Sequence, residues 1–176
     1  MIVEGIQYTR QVADRVCSTS ACIHMLAGFY GVALKPDEIY EGFWKLMMSG
    51  EFNNLMLFSH DAISTDSVTL YCAARYMSDV LRINAEVFSI ETSKIYLTYI
   101  KRRIPVIVSG RFPVIGGKVQ NTVLIKGYVG QFAIVNDPKG NAITHYTERM
   151  GENVLYNTSV LEQWVGKTTD VVRVIT

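Results

Sequence analysis

The stretch QVADRVCSTSACIHMLAGFYG, residues 11–31, places a cysteine where an apolar helix should begin and a glutamine a short way upstream. Free backbone N–H groups and the helix dipole stabilise a thiolate at a helix N-terminus. Cys17 is therefore a candidate nucleophile, with Gln11 as its upstream neighbour. Position alone favours a simpler interpretation, because a cysteine beside a helix is usually a small buried hydrophobe.

A cysteine nucleophile also needs a base, usually a histidine, and a third group that orients the base. The region SGRFPVIGGKVQNTVLIKGYVGQFAIVNDPKG reads as a strand, a Gly-Tyr turn and a returning strand that ends in Asn-Asp-Pro. Antiparallel pairing would make a residue near position 121 a cross-strand neighbour of Asp137. The sequence thus predicts a contact between position 121, which is an asparagine, and the Asp137 carboxylate.

The three histidines offer no base in a suitable place. His24 lies about 10 Å along the helix from Cys17, too far for a hydrogen bond, and is interpreted as a structural histidine. His60 stands beside Asp61 in what is interpreted as a surface loop, and His145 is expected to be exposed. None of them is predicted to serve Cys17.

The elements that position these residues change type partway along the chain. Apolar periodicity and cap residues predict helices from Cys17 to Gly31, over 36–49, from a cap cluster at 64–66 to 81, and over 91–103. The stretch FNNLMLFSHDAIS is interpreted as a loop with a short helix. From Pro105 onward, β-branched and aromatic runs predict strands near 105–111, 121–129, 131–137, 153–157 and 171–175. This order predicts an α+β fold, one domain over 1–176, with N-terminal helices packed on one side of a C-terminal antiparallel β-sheet.

The composition limits the classes of function. The chain has 176 residues, 49% hydrophobic, with 17 basic and 16 acidic side chains, so its charge does not favour nucleic acid or an anionic membrane. Its apolar runs are too short for membrane insertion. Three cysteines without a CxxC pair and three scattered histidines predict no disulfide scaffold, metal or cofactor. The first residues carry no secretory signal, which predicts a cytoplasmic location.

Five motifs occur in this order along the sequence: Gln11, ACIHMLAGFYG, IPVIVSGRF, TVLIKGY and VNDPKGN. Together they resemble the papain-like cysteine peptidases, in particular the bacteriocin-processing (double-glycine leader) peptidases, family thirty-nine, and related phage-encoded domains. HYTERMGENVLY resembles the tail of that pattern, and the resemblance covers most of residues 7–165. It implies a papain-like fold in which Gln11 is an oxyanion donor and Asp137 orients a histidine.

The sequence departs from this family where the family carries its chemistry. Asn121 stands at the histidine position, and an amide cannot take a proton from a thiol. Counting back from Gly31 puts Ser18 at the cysteine position, whereas counting forward from Gln11 puts Cys17 there. Both registers stay open at this stage, and Cys17 is predicted to be inert.

Two functions are compatible with this pattern. The first is a catalytically degenerate module that binds a protein or an extended peptide at a sheet edge, in a host cytoplasm or a virion if the chain is phage-encoded. The stretch FWKLMMSGEFNNLMLF would give it an adaptable contact surface. The second is an active cysteine hydrolase of leader or cell-wall peptides, with Cys17 as nucleophile, Gln11, Asp137 and an unidentified base.

Overall fold

Most of the helical residues lie in the first half of the chain and most of the strands in its second half. The computed structural model describes residues 1–12, 17–49 and 65–175. Its helices are α1 (Ser18–Phe29), α2 (Pro36–Met48), α3 (Thr65–Asp79), α4 (Ile95–Thr98) and α5 (Thr158–Val165). Its strands are β1 (Ala85–Glu91), β2 (Val106–Val114), β3 (Gly117–Val129), β4 (Phe132–Asn136), β5 (Val154–Asn157) and β6 (Thr168–Val174). Short 3-10 turns occupy Thr92–Lys94, Ile100–Arg102 and Ala142–Thr144.

Within the described residues the six strands form one sheet in the order β1-β6-β2-β3-β4-β5. Every neighbouring pair is antiparallel. The predicted α+β fold with an antiparallel sheet is confirmed. No helix in the described ranges is long and apolar enough to cross a bilayer.

Successive residues of the strands point to opposite faces of the sheet, and each face is buried by helices. Ile107 and Leu124 belong to an apolar cluster with α1, α2 and α3. Val108 and Val123, one residue away, belong to a second cluster with α4, α5 and Tyr99. The prediction that helices cover one side of the sheet was therefore incomplete, because the short helices α4 and α5 cover the other.

Local sequence explains where the first two helices begin and end. The extended backbone of Cys17 (φ −81°, ψ 167°) caps α1, and Gly31 follows its end with φ +87°, a conformation that glycine adopts easily. Pro36 occupies the first position of α2, and the Glu38 carboxylate accepts the Lys35 N–H at 2.7 Å. The helices predicted from Cys17 to Gly31 and over 36–49 are confirmed as Ser18–Phe29 and Pro36–Met48.

The helix predicted over 91–103 is only partly correct. The structure breaks it into a 3-10 turn, α4 and a second 3-10 turn, and it ends at Arg103 in a left-handed conformation (φ +61°). β-Branched and aromatic residues are weak helix formers, and the kinked path buries Ile95, Tyr99 and Ile100 against the sheet. Strand β1 and helix α5 were not predicted. The loop and short helix predicted over 52–64 lie outside the described residues. So do His60 and much of the stretch FWKLMMSGEFNNLMLF.

Strand β3 is longer than the part of it that β4 covers. β4 pairs with β3 from Leu124 to Val129, whereas β2 pairs with it from Gly117 to Ile125. The first turn of α1 packs against β3 where the cover of β4 ends, since Thr122 contacts α1 through both side chain and backbone. This junction of helix and strand positions the candidate site.

Candidate active site

At the N-terminus of α1, the side chains of Cys17 and Ser18 point in different directions. The Cys17 Sγ accepts the Ser20 N–H at 3.4 Å and lies 3.4 Å from the Ser20 hydroxyl, so it points at the first turn of its own helix. The Ser18 Oγ instead accepts the backbone N–H of Thr122 at 3.3 Å. Of the two, Ser18 therefore reaches β3, directly beside Asn121.

Buried hydroxyl and thiol contacts hold α1 on β3. The Thr19 and Thr122 hydroxyls are 2.9 Å apart, and the Cys22 thiol donates to the Thr122 carbonyl at 3.4 Å. Both threonines and Cys22 are buried, and polar groups in such places are paired. Burial, with the nearby Asp137 carboxylate, raises the pKa of the Cys22 thiol well above its ordinary value, so Cys22 stays protonated.

Asn121 and Asp137 are in direct contact, as the strand pairing predicts. The Asn121 Nδ2 donates to Asp137 Oδ1 at 2.9 Å and to the Tyr146 hydroxyl oxygen at 2.9 Å. Asn121 is 1% exposed and Asp137 is fully buried. The Oδ1 atom of Asn121 has no hydrogen-bond partner among the described residues, so the amide nitrogen makes all of its contacts.

The Asp137 carboxylate is held by hydrogen bonds rather than by a salt bridge. Besides Asn121, the Tyr156 hydroxyl donates to Oδ2 at 2.7 Å and the Lys139 backbone N–H donates to Oδ1 at 3.0 Å. Burial raises the pKa of Asp137 to about 6, and these donors and the Lys139 charge only partly oppose that effect. Asp137 thus loses its proton at a higher pH than an ordinary carboxyl, and its partner at position 121 carries no charge.

Tyr146 and Tyr156 are site residues that the sequence did not predict. Tyr146 lies in the irregular connection between β4 and β5, and Tyr156 lies on the edge strand β5. Burial and the Asp137 charge raise the pKa of both phenols, which therefore remain protonated donors. The alternation in NVLYN was the available signal, since it places Tyr156 on a buried face of a strand.

Gln11 reaches the same end of the sheet through its backbone. Its N–H donates to the Pro138 carbonyl at 2.8 Å, and the Tyr8 hydroxyl donates to the Asp137 carbonyl at 2.9 Å. The segment that carries Gln11 therefore lies next to Asp137, and Gln11 itself is half-buried.

The described histidines are engaged elsewhere. In His24, Nδ1 lies 2.7 Å from the Thr9 hydroxyl and Nε2 lies 2.9 Å from the Leu34 carbonyl, which confirms a structural histidine. His145 is exposed, as expected, after the 3-10 turn Ala142–Thr144. Neither ring hydrogen-bonds to Cys17 or Ser18. Nor do the described residues contain a cluster of three His, Cys, Asp or Glu side chains arranged to hold a metal ion.

Solved structures with a similar fold include peptidase domains whose sequences differ widely from this one. A Bacillus anthracis protein described as a C39-like peptidase superposes with a TM-score of 0.59 at 17% identity, over 99% of this chain and 97% of its own. A double glycine motif protease from the AMS/PCAT transporter, solved in complex with its leader peptide, gives 0.57 at 13% identity, over 99% and 94%.

The peptidase domain of Streptococcus ComA, a bi-functional ABC transporter of a quorum-sensing pathway, gives a TM-score of 0.54 at 15% identity, over 96% of this chain and 98% of that one. No protein-family model and no curated protein sequence matches the chain. At these identities the likeness defines the fold: the chain is built as a C39-peptidase-like domain of papain-like type.

Proposed function

We propose that this chain is a catalytically degenerate C39-peptidase-like domain that binds an extended peptide without cleaving it. The observation that carries the proposal is the buried hydrogen bond from the Asn121 amide to Asp137. That pair occupies the positions where the resemblance places a histidine and its orienting carboxylate. The amide keeps the contact with Asp137 but has no lone pair basic enough to remove a proton.

The nucleophile position supports the same proposal. The contact of the Ser18 Oγ with Thr122 N favours the register in which Ser18 takes the place of the family's cysteine. A serine hydroxyl is a weak nucleophile without a base, and Asn121 supplies none. Cys17 has its sulfur against Ser20 and is not directed at β3.

The uncovered edge of β3 offers a place for a peptide. In the described ranges no strand pairs with residues 117–121 on the side that β4 covers further along. Thr122 directs its N–H and its C=O to α1 on this side. Every second residue of an antiparallel strand directs its backbone N–H and C=O to the same side. The exposed residues Gln120 and Lys118 therefore direct their backbone N–H and C=O groups to the same edge as Thr122. A peptide strand added at this edge would pass the N-terminus of α1.

The double glycine motif protease was solved with its leader peptide, which makes extended peptides the natural first probes for this chain. A cytoplasmic location, or a host cytoplasm or virion if the chain is phage-encoded, belongs to the same proposal. The alternative is an active hydrolase with Cys17 as nucleophile, Gln11 as oxyanion donor and Asp137 as orienting group. The sulfur at the N-cap of α1 is the observation in its favour.

Peptide binding at this edge can be tested by removing one backbone donor. A fluorescent peptide selected from an array is titrated by anisotropy against the native chain, Gln120→Pro and the matched control Gln120→Ala. Proline removes the outward N–H, which a sheet edge tolerates, whereas alanine keeps it. We expect Gln120→Ala to bind like the native chain and Gln120→Pro to bind about five-fold more weakly, the effect of one net hydrogen bond.

The recovered peptide should be intact by mass spectrometry. Equal affinity of the native chain and Gln120→Pro, with circular dichroism showing both folded, would show that the peptide does not add to β3. Peptide cleavage that disappears in Cys17→Ala would establish the hydrolase instead.

A further inference from the structure

The charged residues are distributed unevenly along the chain. Residues 92–136, which include β2, β3 and β4, contain seven basic side chains and no acidic one, although the chain as a whole is nearly neutral. Two of the seven, Arg111 and Lys118, lie in the part of the β2–β3 hairpin that extends beyond β4. The hairpin therefore carries an excess of positive charge at the uncovered edge of β3.

The strand register places both cations on the face of the sheet that carries α1. Ser109 and Thr122 mark this face, because their hydroxyls are 3.3 Å apart and that of Thr122 also contacts α1. Side chains alternate between the faces, and paired residues share a face, so Arg111 and Lys118 follow on the α1 side. Phe112 belongs to the second apolar cluster, on the opposite face, as this alternation requires.

Arg111 and Lys118 are exposed, and neither side chain has a hydrogen-bond or salt-bridge partner among the described residues. β6 and β1 lie on the other side of β2, away from the β3 edge. The acidic side chains of these two strands each have a described partner: Asp170 with Ser89, Glu86 with Arg173 and Glu91 with Lys94. The two cations are therefore left to interact with a ligand at the β3 edge.

The register also says which positions of a bound peptide these cations would meet. A peptide strand at this edge would lie about 5 Å from β3 and about 10 Å from β2. The peptide side chain opposite Lys118 would share its face, and opposite charges in such cross-strand pairs are stabilising. Two positions along the peptide, the side chain opposite Gln120 would lie in the row of Arg111, the cross-strand partner of Gln120. Carboxylates at alternate peptide positions would thus meet both cations.

We propose that the peptide bound at the β3 edge is acidic, with carboxylate side chains opposite Lys118 and Gln120. Lys118 selects the charge of the ligand, and Arg111 supports that choice from β2. This inference rests on the proposed peptide-binding function and adds the chemical class of the peptide. Nucleic acid would also be attracted by cations, but the outward N–H and C=O groups of a sheet edge match a peptide backbone.

The test is fluorescence anisotropy with three labelled peptides in which threonine alternates with glutamate, glutamine or lysine. Threonine favours extended strands and carries no charge. At low salt we expect the native chain to bind the glutamate peptide about five-fold more tightly than the glutamine peptide, the effect of two exposed charge pairs. The lysine peptide should bind most weakly. Because salt screens exposed charges, the difference should largely disappear at about 0.5 M salt.

Charge reversal at Lys118 gives the sharpest comparison. In Lys118→Glu the lysine peptide should bind more tightly than the glutamate peptide. The matched control Lys101→Glu changes the net charge equally at an exposed lysine in the 3-10 turn before β2, and it should keep the native preference. Gln120→Pro should weaken binding of the glutamate peptide, because it removes a backbone donor at the same edge. Circular dichroism checks that each variant is folded.

The outcomes separate this inference from the peptide-binding proposal. Equal affinities for the glutamate and glutamine peptides, both lowered in Gln120→Pro, would overturn the charge selection and leave the peptide edge intact. A glutamate preference unchanged in Lys118→Glu and Gln120→Pro would overturn both. An oligothymidylate that binds more tightly than the glutamate peptide would assign the cations to nucleic acid instead. No saturable binding of any of the three peptides at millimolar concentration would also overturn this inference, whereas the array-selected peptide tests the edge independently.

Discussion

At the scale of single residues, the ionisable carboxyl of Asp137 is paired with the uncharged amide of Asn121. A histidine at position 121 could become a cation and stabilise the Asp137 carboxylate, whereas the amide offers only a hydrogen bond. Asp137 is fully buried, so its ionised form is costly in this environment. With an uncharged amide at position 121, the Asp137 carboxyl therefore holds its proton to higher pH.

This leads to a pH dependence of stability with a definite sign. The pKa of Asp137 is about 6 in the folded chain against an ordinary value of 3.8, so the folded state binds the proton more tightly. The stabilisation from Asp137 is then fully present below about pH 4 and is lost as pH rises through about 6. The two-unit difference corresponds to about 3 kcal/mol at most.

Urea denaturation of the native chain and Asp137→Asn at pH 5 and pH 7 measures this effect. Asparagine cannot titrate, and the Tyr156 hydroxyl that donates to the carboxylate can accept from an amide instead. We expect the stability of the native chain relative to Asp137→Asn to decrease between pH 5 and pH 7. An increase over that interval would mean that Asp137 is stabilised as an anion, contrary to the site described here.

At the scale of elements, the end of α5 presses on β2 at Gly110, the cross-strand partner of Asn121. A Cβ at Gly110 would lie 2.4 Å from the Trp164 carbonyl oxygen and 2.8 Å from the Val165 Cα. Both are backbone atoms, so the helix would have to shift. Tyr156, which donates to Asp137, packs against Trp164 at a ring-centroid distance of 5.1 Å and would be disturbed with it.

We therefore expect Gly110→Ala to destabilise the fold by about 1–3 kcal/mol, the usual effect of overpacking. Gly28→Ala is the matched control, because Gly28 lies inside α1 with nothing within 4 Å of its added Cβ. That change should stabilise by up to about 1 kcal/mol through helix propensity. Chemical denaturation of both variants gives the comparison. A Gly110→Ala variant as stable as the native chain would show that α5 is not packed this tightly on β2.

Sequence periodicity predicted the elements that are buried continuously. The apolar runs of β2, β3, β4 and β6 and the caps of α1 and α2 are strong local signals. β1 escaped prediction because much of AEVFSIE is exposed or half-buried, and α5 because eight residues rich in β-branched and aromatic side chains give little helical signal. The break in the helix at 91–103 depends on packing against the sheet, which periodicity does not encode.

The candidate site was also predictable only where it depends on local sequence signals. The Asn121–Asp137 contact followed from two adjacent strands in register, which is local information. The contribution of Tyr146 was not predictable, because its position depends on the irregular path between β4 and β5. The sequence also left the choice between Cys17 and Ser18 open, since a one-residue shift at a helix N-terminus changes the side chain that reaches the neighbouring strand.

At the scale of the whole molecule, one sheet separates two apolar clusters. The helices α1, α2 and α3 bury one face, and α4 and α5 bury the other. The candidate peptide edge lies where α1 meets β3. The C39-peptidase-like fold thus places the Asn121–Asp137 contact beside the N-terminus of α1.

The most direct measurement is mass-spectrometric detection of peptide cleavage by the native chain, Cys17→Ala, Ser18→Cys and the double variant Ser18→Cys/Asn121→His. Substrates are double-glycine leader peptides, fluorogenic peptides and peptidoglycan fragments. We predict no product with the native chain, Cys17→Ala or Ser18→Cys. The double variant should cut at least one substrate, because a positioned base contributes a factor of about 100 or more to the rate. Cleavage by the native chain that is lost in Cys17→Ala would contradict the account, and a folded but inactive double variant would contradict the placement of Ser18 and Asn121.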